Sequence, residues 1–114
     1  MHELSLAESI ITIIKDYAKR DGFKKVNGVF LSYGRLSCIE PHTLQFAFDV
    51  QAKGTPAEGA ILHFQVLPAL IHCFSCEKDL EVQAHTGACP ACGGQEVMLV
   101  AGTEDLQLLE LDVD

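Results

Sequence analysis

Four of the five cysteines fall in two tight pairs, Cys73-Phe74-Ser75-Cys76 and Cys89-Pro90-Ala91-Cys92, with twelve residues between them. Each short C-x-x-C knuckle aims two sulfurs at one point, so two knuckles can wrap a tetrahedral ion. Four thiolates leave no open coordination position, which is the pattern of a structural zinc rather than a catalytic one. Gly93-Gly94 follows the second knuckle and supplies the permissive backbone such a turn needs. Sulfur ligands suit iron in a rubredoxin-like site as well as zinc. Two disulfides would require an oxidising compartment, for which nothing in the sequence speaks. A redox C-x-x-C is disfavoured because two knuckles occur together and neither opens a long helix. The expectation is zinc on Cys73, Cys76, Cys89 and Cys92. An insert of about thirty residues has little core of its own, so the ion is expected to supply its folding free energy.

His2 is the second candidate. A terminal histidine in solvent ordinarily has no role, but its imidazole lies within chelating reach of a terminal amine and the first backbone nitrogens. Nitrogen donors in a plane suit Ni(II) or Cu(II), and Glu3 could add an oxygen donor or orient the imidazole. The remaining candidates read as structural. Cys38 is expected to be a small buried thiol. His42 falls in the first turn of a helix and His63 on a strand face, where histidines are more often satisfied than ligating. His72 abuts Cys73, but four sulfurs already fill the zinc, and His85 lies in the loop between the knuckles. No Ser/His/Asp set, phosphate-binding glycine loop or separated carboxylate pair is legible, so no enzyme activity is indicated.

The elements that must position these residues follow from periodicity. Ser5-Leu6-Ala7-Glu8 fits a capping box. Behind it Leu4, Ala7, Ile10, Ile11, Ile14, Tyr17 and Ala18 recur at helical spacing, predicting a helix over 5–21 that Gly22 closes. Residues 25–33 alternate, with Val29, Leu31 and Tyr33 on one strand face and Val26 and Phe30 on the other. Pro41 opens a second helix to about Ala52, with Leu44, Ala47 and Phe48 as its core stripe. Residues 60–67 and 106–113 read as further strands. Leu80-Glu81-Val82 and Val97-Met98-Leu99 can flank the cysteines as short strands of a zinc ribbon. The fold class is therefore α+β: two helices on a three-stranded sheet, with an inserted four-cysteine ribbon. Residues 1–71 with 101–114 would make one domain, and residues 72–100 the other.

The 114 residues carry a formal net charge of −8, unevenly spread. Residues 54–114 hold Lys78 against ten acids, while residues 1–53 are nearly balanced. That pattern repels phosphate backbones, so nucleic acid is excluded as a partner, and a basic protein surface suits it better. No apolar run approaches the ~18 residues a membrane span needs, and the N-terminus lacks a signal-peptide layout. A soluble cytoplasmic protein with no membrane partner is the expectation.

Met1-His2-Glu3-Leu4-Ser5-Leu6, an amphipathic helix, the Gly-Arg-Leu-Ser stretch at 34–37, two knuckles within 73–92 and an acidic ending occur together. In this combination the whole chain resembles the HypA/HybF hydrogenase nickel-incorporation family. The resemblance implies a nickel metallochaperone serving nickel–iron hydrogenase maturation, with transient nickel and structural zinc. It implies nickel on His2 with nearby backbone nitrogens and on Glu3, with Glu40 where some relatives place an acid near the metal. The implied partners are a nickel-handling accessory GTPase, the hydrogenase large-subunit precursor and, for some members, urease maturation factors. One departure is that no histidine directly follows either knuckle, which puts histidine-linked switching of the zinc in doubt. The competing expectation is a zinc-ribbon protein-interaction module with no metal-transfer role.

Overall fold

The computed structural model describes the backbone of residues 2–114 and the side chains of residues 3–114. In chain order the elements are α1 (His2–Asp21), β1 (Val26–Gly34), α2 (Pro41–Gln51), β2 (Ile61–Leu67), β3 (Ala69–Cys73), β4 (Lys78–Val82), β5 (Val97–Ala101) and β6 (Gln107–Val113). They form two three-stranded sheets, ordered β2-β1-β6 and β4-β3-β5. Two compact units divide the chain. One holds the chain up to Leu31 together with Ile39–Phe64 and Leu108–Asp114; the other holds Ser32–Cys38 and Gln65–Gln107.

In the first unit, α1 packs on α2. Ala7, Ile10, Ile11 and Ile14 of α1 are buried, as are Leu44, Ala47 and Phe48 of α2 and Val29 and Leu31 of the central strand β1. This is the helical stripe meeting the strand's apolar face, as periodicity requires. Gly22, at φ 81, ends α1 and donates its N–H to the Ala18 carbonyl at 2.9 Å. Three expectations need correction. First, α1 begins at His2, so Ser5 lies inside its first turn and does not cap it. Second, Leu4 is 58% exposed, outside the core stripe, and Tyr17 sits at its margin. The Leu4 carbonyl accepts from the side-chain amide of Gln51, the last residue of α2, at 3.2 Å, so α2 reaches this turn without covering the Leu4 side chain. Third, Cys38 is exposed rather than buried, on left-handed backbone at φ 64.

The second unit is built on β3, which pairs antiparallel with both β4 and β5. Ala69, Ile71 and Val82 are its buried apolar residues, and Leu36, Leu80, Val97 and Leu99 pack against them. The sequence pattern shows β4 and β5 but not β3. Pro68 stands in front of it and only five residues follow, too few for a clear alternation. The Gly34–Ser37 turn is held by tight backbone approach: Gly34 N–H donates to Glu104 O at 2.9 Å and Leu36 N–H to Gly102 O at 2.7 Å. A Cβ at Gly34 would collide with the Gly102 carbonyl, which is a physical reason for glycine at the head of that stretch.

Candidate metal centre

Cys73 is the last residue of β3, opposite Lys78 of β4 and Val97 of β5, and is fully buried. Cys76 follows in the β3–β4 turn, which Glu77 completes at φ 54. Cys89 and Cys92 belong to the loop between β4 and β5. That loop is closed by two backbone bonds: Gly93 N–H to Cys89 O and Cys89 N–H to Gly94 O, each 2.8 Å. A further bond from Phe74 N–H to Glu96 O, 2.9 Å, ties the first knuckle to the residue before β5.

These constraints converge the four sulfurs. All lie within 4.8 Å of one another, with Cys73 Sγ 3.6 Å from Cys92 Sγ and Cys76 Sγ 3.8 Å from Cys89 Sγ. A tetrahedral zinc with Zn–S bonds of ~2.3 Å needs sulfur–sulfur edges of ~3.8 Å. The donor set and its spacing therefore fit, and the four cysteines form a metal site consistent with structural zinc. Among the described residues this is the cluster of three or more metal-ligating side chains.

Backbone dipoles prepare the sulfurs for positive charge. Ala91 N–H donates to Cys89 Sγ and Gly94 N–H to Cys92 Sγ, both at 3.4 Å. The N–H of Cys76 is the main influence drawing the Cys73 thiol below its ordinary range. Burial works against ionisation of Cys89, yet the N–H groups of Cys92 and Ala91 bring it down to about 7. Cys76 is pushed up to about 12, chiefly by sharing a hydrogen bond with the Cys73 sulfur. Crowded sulfurs without a metal thus split into groups that ionise readily and groups that hold their protons. A dication favours the thiolate form of all four.

Two supporting features were not visible in the sequence. A Cβ on Gly94 would lie 2.9 Å from Ser75 Oγ and 3.3 Å from Cys92 Sγ, so any larger residue there would press the second knuckle against Ser75 of the first. His72 Nδ1 meets Asp79 Oδ1 at 2.7 Å, and its ring makes an edge contact with Phe74 at 4.8 Å. The β3–β4 register that places His72 opposite Asp79 depends on β3, which sequence periodicity did not reveal.

The expected nickel residues are placed separately. Met1 and the side chain of His2 lie outside the described residues, although the backbone of His2 is the start of α1 rather than a segment ahead of it. Glu3 is in the first turn of α1. Glu40 is the N-cap of α2, its Oε1 accepting the His42 N–H at 2.9 Å. His42 and His85 are exposed, and His63 stacks on Phe30 with ring centroids 4.6 Å apart.

A closed four-sulfur centre on a three-stranded ribbon, joined to an α+β unit, defines a small metal-binding protein whose centre is architectural. Residues 1–113 match the family described as hydrogenase/urease nickel incorporation, metallochaperone, HypA. A hydrogenase maturation factor HypA of Syntrophus aciditrophicus is 52% identical over the full length of both chains, and one of Actinobacillus succinogenes is 40% identical, again over both full lengths. The solution structure of the Ni metallochaperone HypA from Helicobacter pylori superposes with a TM-score of 0.63 at 25% identity, covering 99% of this chain and 97% of that one. Another HypA solution structure, at 24% identity and TM-score 0.68, supports the same fold. The chain belongs to the HypA family: it is a nickel metallochaperone of hydrogenase maturation, not a catalyst, and works with the hydrogenase maturation machinery. No helix among the described residues is long and apolar enough to cross a membrane.

Proposed function

We propose that this chain carries nickel as a transient cargo at its N-terminus while Cys73, Cys76, Cys89 and Cys92 hold a zinc that stays in place. The observation behind this division is the closed geometry of the four sulfurs. An ion surrounded by four thiolates has no vacant position for an incoming ligand, so it exchanges poorly, and a cargo needs a more open site. His2, with nearby backbone nitrogens and Glu3, offers nitrogen and oxygen donors suited to Ni(II). The carboxylate of Glu40 has a capping role already and is a secondary candidate. The unit that holds α1 and α2 serves as the nickel-carrying part, and the unit that holds the four cysteines as the zinc part.

The recipients are the large-subunit precursor of a nickel–iron hydrogenase and, as intermediary, a nickel-handling GTPase in the cytoplasm; urease maturation factors are a further class of recipient. Residues 54–114 have a net charge of −9, from one base and ten acids. Association with such partners therefore weakens as salt rises, whereas binding indifferent to salt would oppose this charge-based recognition.

Calorimetric titration of Ni(II) into three zinc-loaded proteins tests the cargo site: native, His2→Ala, and one extended by two residues before Met1. Loss of tight nickel binding in His2→Ala, with zinc and helix content unchanged, is the expected result. Equal binding by His2→Ala would remove the terminal site and leave a zinc-ribbon interaction module as the better reading. Loss in the extended protein as well would add the terminal amine to the ligand set.

A further inference from the structure

Strand β6 forms one edge of the β2-β1-β6 sheet, and among the described residues no strand pairs with its outer side. Such an edge presents unpaired N–H and C=O groups in the geometry another strand would use. Beside it opens a groove of about 520 Å³, walled by Tyr17 near the end of α1, by Phe23 in the connection that follows it, and by β6 itself. Leu109 is 52% exposed and Val113 38% exposed, both on the groove.

The two faces of β6 differ in chemistry. Asp112 lies on the face away from the helices, since a Cβ built on Gly28 would stand 3.6 Å from Asp112 Cβ and 3.3 Å from the exposed His63 ring. By two-residue alternation Leu108 and Glu110 share that face, while Leu109, Leu111 and Val113 turn toward the groove, whose wall at the strand edge Leu108 and Glu110 also reach. The acids are unbalanced along the chain: residues 104–114 contain Glu104, Asp105, Glu110, Asp112 and Asp114 and no base.

We propose that the outer edge of β6 docks an extended segment of a partner protein in which apolar and basic residues alternate. The partner's backbone adds a fourth strand to the sheet. Its apolar side chains fill the groove against Tyr17, Leu109 and Val113, and its lysines or arginines stand opposite Glu110 and Asp112 on the other face. Charge selects this occupant over a second copy of the chain. Pairing β6 with β6 would set Glu110 and Asp112 against the same acids, and like charges directly opposite oppose pairing. The inference does not depend on where nickel binds.

The test uses full-length, zinc-loaded protein and an acetylated, amidated seven-residue peptide alternating lysine and valine. Backbone amide shifts by NMR locate binding, and fluorescence anisotropy measures its strength. The alternating peptide is expected to shift amides of residues 107–113. A peptide methylated on the amide nitrogens facing the edge is expected to lose that binding. The Glu110→Lys/Asp112→Lys protein is expected to bind about tenfold more weakly. Tyr17→Ala, at a side chain outside the buried core, is expected to weaken binding without altering zinc content. Equal binding by a peptide with all lysines grouped at one end would overturn the proposal, since charge alone would then suffice. It would also be overturned by shifts confined to β2 or to the cysteine ribbon, by no binding up to about 2 mM, or by concentration-dependent self-association that broadens residues 107–113.

Discussion

Replacing one sulfur ligand separates what zinc contributes from what the ribbon's own packing contributes. Structural zinc sites bind with about 10–16 kcal/mol near neutral pH, so one thiolate in four accounts for roughly 3–4 kcal/mol. Cys73→Ala and Cys92→Ala should each raise the zinc dissociation constant by about two to three orders of magnitude. The two are not equivalent, because Cys73 is fully buried at the end of β3 and Cys92 is exposed. Deleting the Cys73 sulfur also leaves a small void among packed strands, adding about 1 kcal/mol. Against this stands a modest apolar core. Ile71 and Val82 are its two large buried side chains, together worth about 3–6 kcal/mol at ~1.5–3 each. That is well below the zinc contribution, so zinc-free ribbon should open locally while the helical unit holds. Competition with a chelating metal indicator gives the affinity, and hydrogen exchange gives the opening. Amides of residues 69–73, 78–82 and 97–101 should lose protection in both variants, and those of residues 7–18 and 44–52 should keep it. Retained protection across β3, β4 and β5 in zinc-free Cys92→Ala would refute the reasoning, since packing alone would then hold the ribbon.

Phe48→Ala, at a fully buried ring, should destabilise the helical unit by about 3–5 kcal/mol in urea melts followed by far-UV signal, with zinc content unchanged. Glu40→Ala should cost about 1 kcal/mol by removing the α2 cap, and a concurrent loss of nickel affinity without further loss of stability would show that the carboxylate has a second role. Gly94→Ala should weaken zinc binding by pressing on Ser75 and Cys92, with partial recovery in the Ser75→Gly/Gly94→Ala double variant; no weakening in the single variant would contradict the packing described. Protons and zinc compete for the same sulfur lone pairs, and Cys89 is drawn down to about 7 while Cys76 keeps its proton to about 12. Zinc affinity should therefore fall as pH drops through neutrality, by about two to four protons per zinc; a slope below about one would argue against thiolate ligation.

The metal centre was legible because its chemistry is local. Two residues between cysteines within each knuckle bring their sulfurs together whatever surrounds them. Helix α2 was legible for the same reason, with Pro41 at its start and Leu44, Ala47 and Phe48 at helical spacing. What the sequence hid depends on partners distant along the chain. The β3 strand becomes recognisable only when paired on both sides, the His72–Asp79 contact needs that pairing's register, and Gly94 matters because Ser75 comes to lie beside it. The exposure of Leu4 likewise depends on where a distant segment comes to lie, since α2 meets its carbonyl through Gln51 but leaves its side chain uncovered. Cys38 was misjudged because free cysteines are often buried, whereas this one sits on a left-handed turn just ahead of α2.

That exposed thiol gives a constant reference label against which labelling of the four metal-site cysteines can be counted. With zinc on the other four sulfurs, a thiol-reactive dye meets one accessible nucleophile, Cys38, because metal-bound thiolates are shielded from alkylation. As the metal leaves, the remaining cysteines become available in turn, and intact-mass spectrometry resolves each added label as a discrete step. A population of molecules can thus be sorted into loaded and unloaded fractions without separating them. A paramagnetic tag on Cys38, which belongs to the same unit as the four cysteines, would meanwhile report distances within that unit from a position that neither metal site is expected to use.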